Sequence, residues 1–185
     1  MLEFTLFYRG PLRANGNPKH KQEIRDAFHS QLKQLWTVEP LVDWKRHCLT
    51  QNDPDTLIYL VQEIGPLKVA PLVCEKLHLT ARLEICLLRP EPPGKIITQG
   101  GDIDNRLKTL FDALRMPSNS KEIPKDYILS DPILFTLLED DNLITHVGVR
   151  TEQLLQDIED RSEVILTVKV TTHSNHPGWG ASALG

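Results

Sequence analysis

The sequence turns on GGDIDNRLKTLFDAL, residues 100–114. Leu107, Leu110, Phe111 and Leu114 recur at i, i+3, i+4 and i+7, an apolar stripe of helical period. Gly100 and Gly101 leave the backbone free for a tight entry, and Pro117 ends the element. The spacing predicts a helix from Asp102 to Leu114. A helix needs one N-cap, yet this one offers Asp102, Asp104 and Asn105 at its start. Lys108 falls one turn beyond Asp104, on the same face, and Asp112 adds a further acid. An acid–acid–lysine cluster is therefore expected on the side of the helix not committed to the core. The plain alternative is a capped helix with an i,i+4 ion pair.

The surrounding sequence supplies mostly strands. Residues 67–74 and 78–89 read as a pair of strands joined near Glu75-Lys76. In the second of them Leu79, Ala81, Leu83, Ile85 and Leu87 share one face. Residues 2–8 read as a first strand. Pro18 opens a helix to about Trp36, with Ile24, Phe28, Leu32 and Leu35 on one stripe. Residues 143–150 and 162–172 read as a final pair of strands, with a short helix around 151–158 linking them. RPEPPGKIITQGG, residues 89–101, is a Pro- and Gly-rich loop. Residues 118–133 form a long irregular insertion. Residues 37–66 resist assignment, and their LIYLV run suits either a strand or a short helix. The reading is an α+β domain over residues 1–172, a small mixed or antiparallel sheet with two main helices and an acidic site at the start of the second. Residues 173–185 are expected to be a flexible tail.

A chain of 185 residues is long enough to bury a core without disulfides. No apolar run approaches the ~20 residues that span a bilayer, and the N-terminus lacks the layout of a secretory signal. Cys48, Cys74 and Cys86 follow no ligand spacing, and Cys86 reads as core. The odd count suggests a reducing compartment, the cytoplasm. The net charge of −4 is uneven: +3 over residues 1–50, −1 over 51–115 and −6 over 116–185. Arg9, Arg13, Lys19, Lys21, Arg25 and Lys33 carry the basic end. An acidic pole beside a basic one suits a metal site next to a phosphate-binding surface, though a solvated helix face explains the basic residues equally simply. P-loop and dinucleotide motifs are absent. The seven histidines form no H-x-x-x-H pair. His146 is a candidate to line the site, while His173 and His176 are weak metal candidates near the tail. Trp36, Trp44 and Trp179 are too scattered for a base-stacking platform.

A second acidic cluster, Glu139-Asp140-Asp141, precedes the apolar Leu143-Ile144. Adjacent carboxylates repel unless solvated or bound to a cation. Sequence spacing alone leaves open whether the two clusters meet. If they do, carboxylate oxygens without Cys or His favour a hard cation, Mg²⁺ or Mn²⁺, held by Asp102, Asp104 and one or both of Asp140 and Asp141. Such a site activates water against a phosphodiester. Lys108 would add positive charge where transition-state charge grows. Asn105 would brace the helix entry or a metal-bound water, and Lys95 and Arg106 would touch the nucleic-acid backbone.

The run Asp102-Ile103-Asp104-Asn105-Arg106-Leu107-Lys108, continued through Phe111-Asp112-Ala113-Leu114, resembles the signature of the RusA family of Holliday junction resolvases. Asp140-Asp141 before an apolar strand resembles that family's second acidic motif, and Pro11 and Asn15 look similar to residues of its first loop. The resemblance implies a small α+β homodimer that cuts four-way DNA junctions with Mg²⁺ or Mn²⁺. It implies catalytic roles for Asp102, Asp104, Lys108 and Asp141, with Asp140 in support. Arg9, Arg13, Lys19, Lys21, Lys95 and Arg106 are the candidate DNA contacts. The alternatives are a catalytically inert nucleic-acid- or protein-binding protein on the same fold, and a metal-dependent nuclease for another nucleic acid.

Overall fold

Among the described residues seven strands form two sheets, and the chain crosses between them twice through short turns. The computed structural model describes residues 1–51, 54–90, 92, 103–156, 158–160 and 162–175. The strands are β1 (Glu3–Pro11), β2 (Gln62–Ile64), β3 (Leu67–Val73), β4 (Leu79–Arg89), β5 (Leu134–Leu138), β6 (Ile144–Gln153) and β7 (Glu163–Ser174). The helices are α1 (Pro18–Leu35), α2 (Leu41–Leu49) and α3 (Ile103–Leu114). The larger sheet has the order β1-β7-β4-β6, and the smaller has the order β2-β3-β5. β7 is antiparallel to both β1 and β4, whereas β4 and β6 are parallel. Parallel neighbours need a long crossover, and the stretch between β4 and β6 contains α3, the insertion and β5. The domain is α+β with mixed sheets.

Local chemistry explains each element. Asn17 caps α1 by accepting the His20 N–H at 2.8 Å, and Pro18 occupies the first turn, where its missing N–H costs nothing. β4 from Ala81 onward and β7 alternate, and Leu79, Ala81, Leu83, Ile85 and Leu87 are buried with Val164, Leu166, Val168 and Val170. These side chains join Ile24, Phe28, Leu32 and Trp36 of the α1 region and Leu110 and Leu114 of α3 in one core.

Several elements depart from the sequence reading. β3 and β4 are consecutive but not paired: the turn through Glu75–Leu77, with His78 left-handed at φ 53°, carries the chain from one sheet to the other. β6 and β7 share a sheet, yet β4 lies between them. The helix expected at 151–158 does not form among the described residues. Thr151–Gln153 extend β6 alongside β4, and the Leu154 N–H donates to the Arg89 carbonyl, so their backbone groups are already engaged. Cys86 faces away from the core because alternation along β4 buries the odd-numbered residues; it is half-buried. Residues 37–66 contain α2 and β2. The ordered chain continues past 172, since β7 runs to Ser174 and the Asn175 N–H donates to the His78 carbonyl. The rest of the expected tail, 176–185, lies outside the described residues, with His176 and Trp179 in it.

Candidate active site on helix α3 and the Asp140–Asp141 turn

α3 packs against β5 and against the short 3-10 turn Asp141–Leu143 that leads into β6. The helix and the turn are therefore neighbours, as the two acidic motifs require. Leu107 and Phe111 of α3 and Leu143 and Ile144 at the turn all rest on the same apolar core. Asp104 and Lys108 stand exposed on one face of the helix, with Asn105 half-buried beside them. Asp102 and Lys95 lie outside the described residues. Among the described residues, no three His, Cys, Asp or Glu groups are gathered as a metal set.

The three acids of the turn have separate roles. Glu139 is committed to the fold: its carboxylate accepts from Gln62 Nε2 at 2.7 Å and from the Glu75 N–H at 2.9 Å, tying both inter-sheet turns together. Its own N–H donates to the Val73 carbonyl. Asp140 caps the turn, with Oδ1 accepting from the Asn142 N–H at 3.0 Å, which leaves Oδ2 available. Asp141 is exposed, and its carboxylate has no partner among the described residues. Carboxylate oxygens of this kind, without sulfur or imidazole, are the donor type a hard cation prefers. Asp104, Asp140 and Asp141 supply donors of this type, but the structure does not gather them into one set.

The first loop is seated directly on α3. The Gly16 N–H donates to Thr109 Oγ1 at 3.0 Å. A Cβ at residue 16 would sit 2.6 Å from Thr109 Cγ2, so only glycine permits this approach. His20 accepts the Arg13 N–H on Nε2, and burial holds its imidazole below the usual range.

Three expected charged contacts are spent on the fold. Arg106 is buried and donates Nη1 to the Leu12 carbonyl, so it braces the first loop rather than presenting charge to solvent. Lys21 is bound to Asp112 at 2.7 Å. Arg9 pairs with Glu163 at 2.8 Å, although it remains half-exposed. Arg13 and Lys19 keep exposed side chains. Asp112, read from sequence as part of the acid cluster, is buried among Lys21, Arg115 and the Arg25 guanidinium, which donates to the Asp112 carbonyl. Burial would raise its carboxyl, but the Lys21 and Arg115 cations outweigh that and hold it below the usual range. Arg115 also holds Glu122 in a two-armed contact at 3.1 and 3.2 Å, fastening the insertion to α3.

Two of the three cysteines are poorly suited to nucleophilic chemistry. Burial pushes the Cys48 thiol up to about 11 and the Cys74 thiol up to about 12, so neither forms thiolate near neutral pH. His146 does not face the acids across the core: it lies on the outer side of β6, with Nε2 3.0 Å from Glu84 Oε1. Sequence reasoning missed its neighbours Thr80 and Arg82, since only the β4–β6 register places Arg82 opposite His146. The chain matches no protein-family model, no curated protein and no solved structure.

Proposed function

We propose that the protein is a metal-dependent endonuclease for branched DNA, with a RusA-like arrangement and a Holliday junction as the leading substrate. One observation carries this reading: the turn bearing Asp140 and Asp141 packs against the helix bearing Asp104 and Lys108. Asp104, Asp140 and Asp141, together with Asp102, would hold Mg²⁺ or Mn²⁺. Bound there, the ion supplies an activated water and neutralises phosphodiester charge. Lys108, exposed one turn along from Asp104, contributes positive charge to the phosphate under attack. Asn105 steadies the helix entry beside them. The exposed Arg13 and Lys19 add sequence-independent backbone contacts.

A homodimer fits this reading, because a four-way junction presents two-fold symmetry. The edge strand β6 leaves Val147 and Val149 40% and 38% exposed, an apolar surface that a second copy would cover. No described helix is long and apolar enough to cross a membrane. Three free cysteines support a reducing, cytoplasmic setting.

The test is incubation of the purified protein with a labelled four-way junction and a matched linear duplex in Mg²⁺, Mn²⁺ or EDTA. Paired metal-dependent nicks near the branch point, absent from the duplex, are expected. Junction binding without cuts would favour the inert alternative. Equal cutting of linear or flapped substrates would favour the broader nuclease, and absence of both binding and cutting would overturn the nucleic-acid reading.

A further inference from the structure

On the outer side of the larger sheet, β4, β6 and β7 carry a shallow, open cleft of about 320 Å³, lined by Thr80, Arg82, Thr145, His146, His173 and Asn175. The strand register builds it: Arg82 lies opposite His146 on one side, and Thr80 lies opposite His173 on the other. Its lining side chains are all polar and include no carboxylate.

Several groups in this cleft lack strong partners. Arg82 is exposed, and its guanidinium has no partner among the described residues. His173 Nε2 is shut off from solvent without a hydrogen-bond partner among the described residues, an arrangement that costs stability unless a partner completes it. The Thr80 hydroxyl makes only long contacts, 3.4 Å to the His173 carbonyl and 3.5 Å to Asn175 Oδ1. Thr145 Oγ1 reaches the Ala81 carbonyl at 3.3 Å. Both hydroxyls can rotate towards a stronger acceptor. The one acid at the rim, Glu84, is turned aside: it binds His146, and its carboxylate lies over Gly148, where a Cβ would come within 2.0 Å of Oε2.

We propose that this cleft binds a phosphate group, and, resting on the nuclease reading above, that the group belongs to the backbone of the DNA strand being led to Asp104 and Asp141. Thr145 is four residues beyond Asp141, a separation of at most about 14 Å along the chain. A strand advances about 3.4 Å per phosphate along a duplex axis, so the cleft holds a phosphate a few nucleotides from the scissile one. The division of labour follows from charge. The carboxylates repel an anion unless a cation intervenes, whereas Arg82 attracts one directly.

The test uses the full chain, wild type and Arg82→Gln, with His146→Gln as a second surface variant. Inorganic phosphate is titrated while the imidazole resonances of His146 and His173 are followed by NMR. Labelled junction binding is measured in Ca²⁺ across a salt series. Phosphate is expected to move both imidazoles in the wild type and neither in R82Q. Junction affinity in R82Q should fall about tenfold or more, with the salt slope reduced by about one. Its cleavage rate at saturating junction should stay within about twofold, separating strand binding from chemistry. Imidazoles unmoved by phosphate, or moved equally in R82Q, would overturn the cleft. Phosphate binding that depends on Arg82 without any DNA binding would support the anion site and overturn the nuclease reading.

Discussion

Asp104, Lys108 and Asp112 follow one another at four-residue steps along α3, yet they meet opposite fates. The first two are exposed; the third is buried between Lys21 and Arg115. Spacing alone places all three on adjacent parts of one helical ridge. The difference comes from α1, which packs against α3 and brings Lys21 and Arg25 onto its C-terminal half. The contrast teaches that a charge on a helix is buried into a network where a second helix crosses it, and stays exposed where none does. The same lesson holds across the acidic turn, where Glu139 is bound on both oxygens while Asp141 is not.

This contrast can be broken by paired substitutions. Asp104→Asn is expected to reduce cleavage by about a thousandfold or more while leaving the thermal midpoint nearly unchanged. Normal cleavage by a folded D104N protein would sink the proposed site. Asp112→Ala should do the reverse, costing about 3–5 kcal/mol in denaturant unfolding, because it leaves Arg115 and Lys21 without their shared carboxylate. A stability loss below about 1 kcal/mol would show that this half of the helix is not held by its charges.

Lys108→Ala sharpens the comparison further. Its side chain is exposed, so turnover should fall about a hundredfold with stability changed by less than about 0.5 kcal/mol. A large stability loss with unaltered turnover would move Lys108 to the structural side.

The C-terminal end of the helix and the insertion it holds carry a pH dependence whose sign follows from their carboxyls. Asp112 and Glu122 have folded-state carboxyls held below their ordinary values: burial acts to raise both, but bonds from Lys21 and Arg115 outweigh it for Asp112, and from Arg115 and the Ser118 N–H for Glu122. Their stabilisation is complete above the ordinary carboxylate range near pH 4 and is lost as pH falls through the lowered values. The wild-type melting temperature should therefore drop on acidification from about pH 5. The dependence should be shallower in Asp112→Asn, and equal slopes would remove the charge network from the account. The smallest effect is expected for Arg9→Ala, whose exposed pair with Glu163 should contribute under about 1 kcal/mol to stability.

Much of the fold is legible residue by residue. Ile24, Phe28 and Leu32 announce α1, Leu110 and Leu114 announce α3, and the alternation from Leu79 to Leu87 announces β4, because burial of one face imposes a period on the chain. Residues 41–49 escaped notice because α2 is short, with only Leu41 and Cys48 buried, too few to mark a period. The missing helix at 151–158 has a different cause: Thr151–Gln153 complete a ladder with a strand more than sixty positions away. At the site, Asp104, Lys108 and Asp141 stood out because clustered charges are unusual. Arg106 looked the same in sequence and proved to be a buried brace.

The chain by itself determined the periodic helices and strands, the acidic motifs and the lack of any long apolar span, since these depend on neighbours within a few residues. Only the tertiary structure decided the pairing of β4 with both β6 and β7, the packing of α3 on the Asp141–Leu143 turn, and the assembly of Arg82, His146 and His173 around one cleft. The physical reason is that register and helix crossing are set by burial summed over distant segments, and no local spacing encodes which charges that burial will consume.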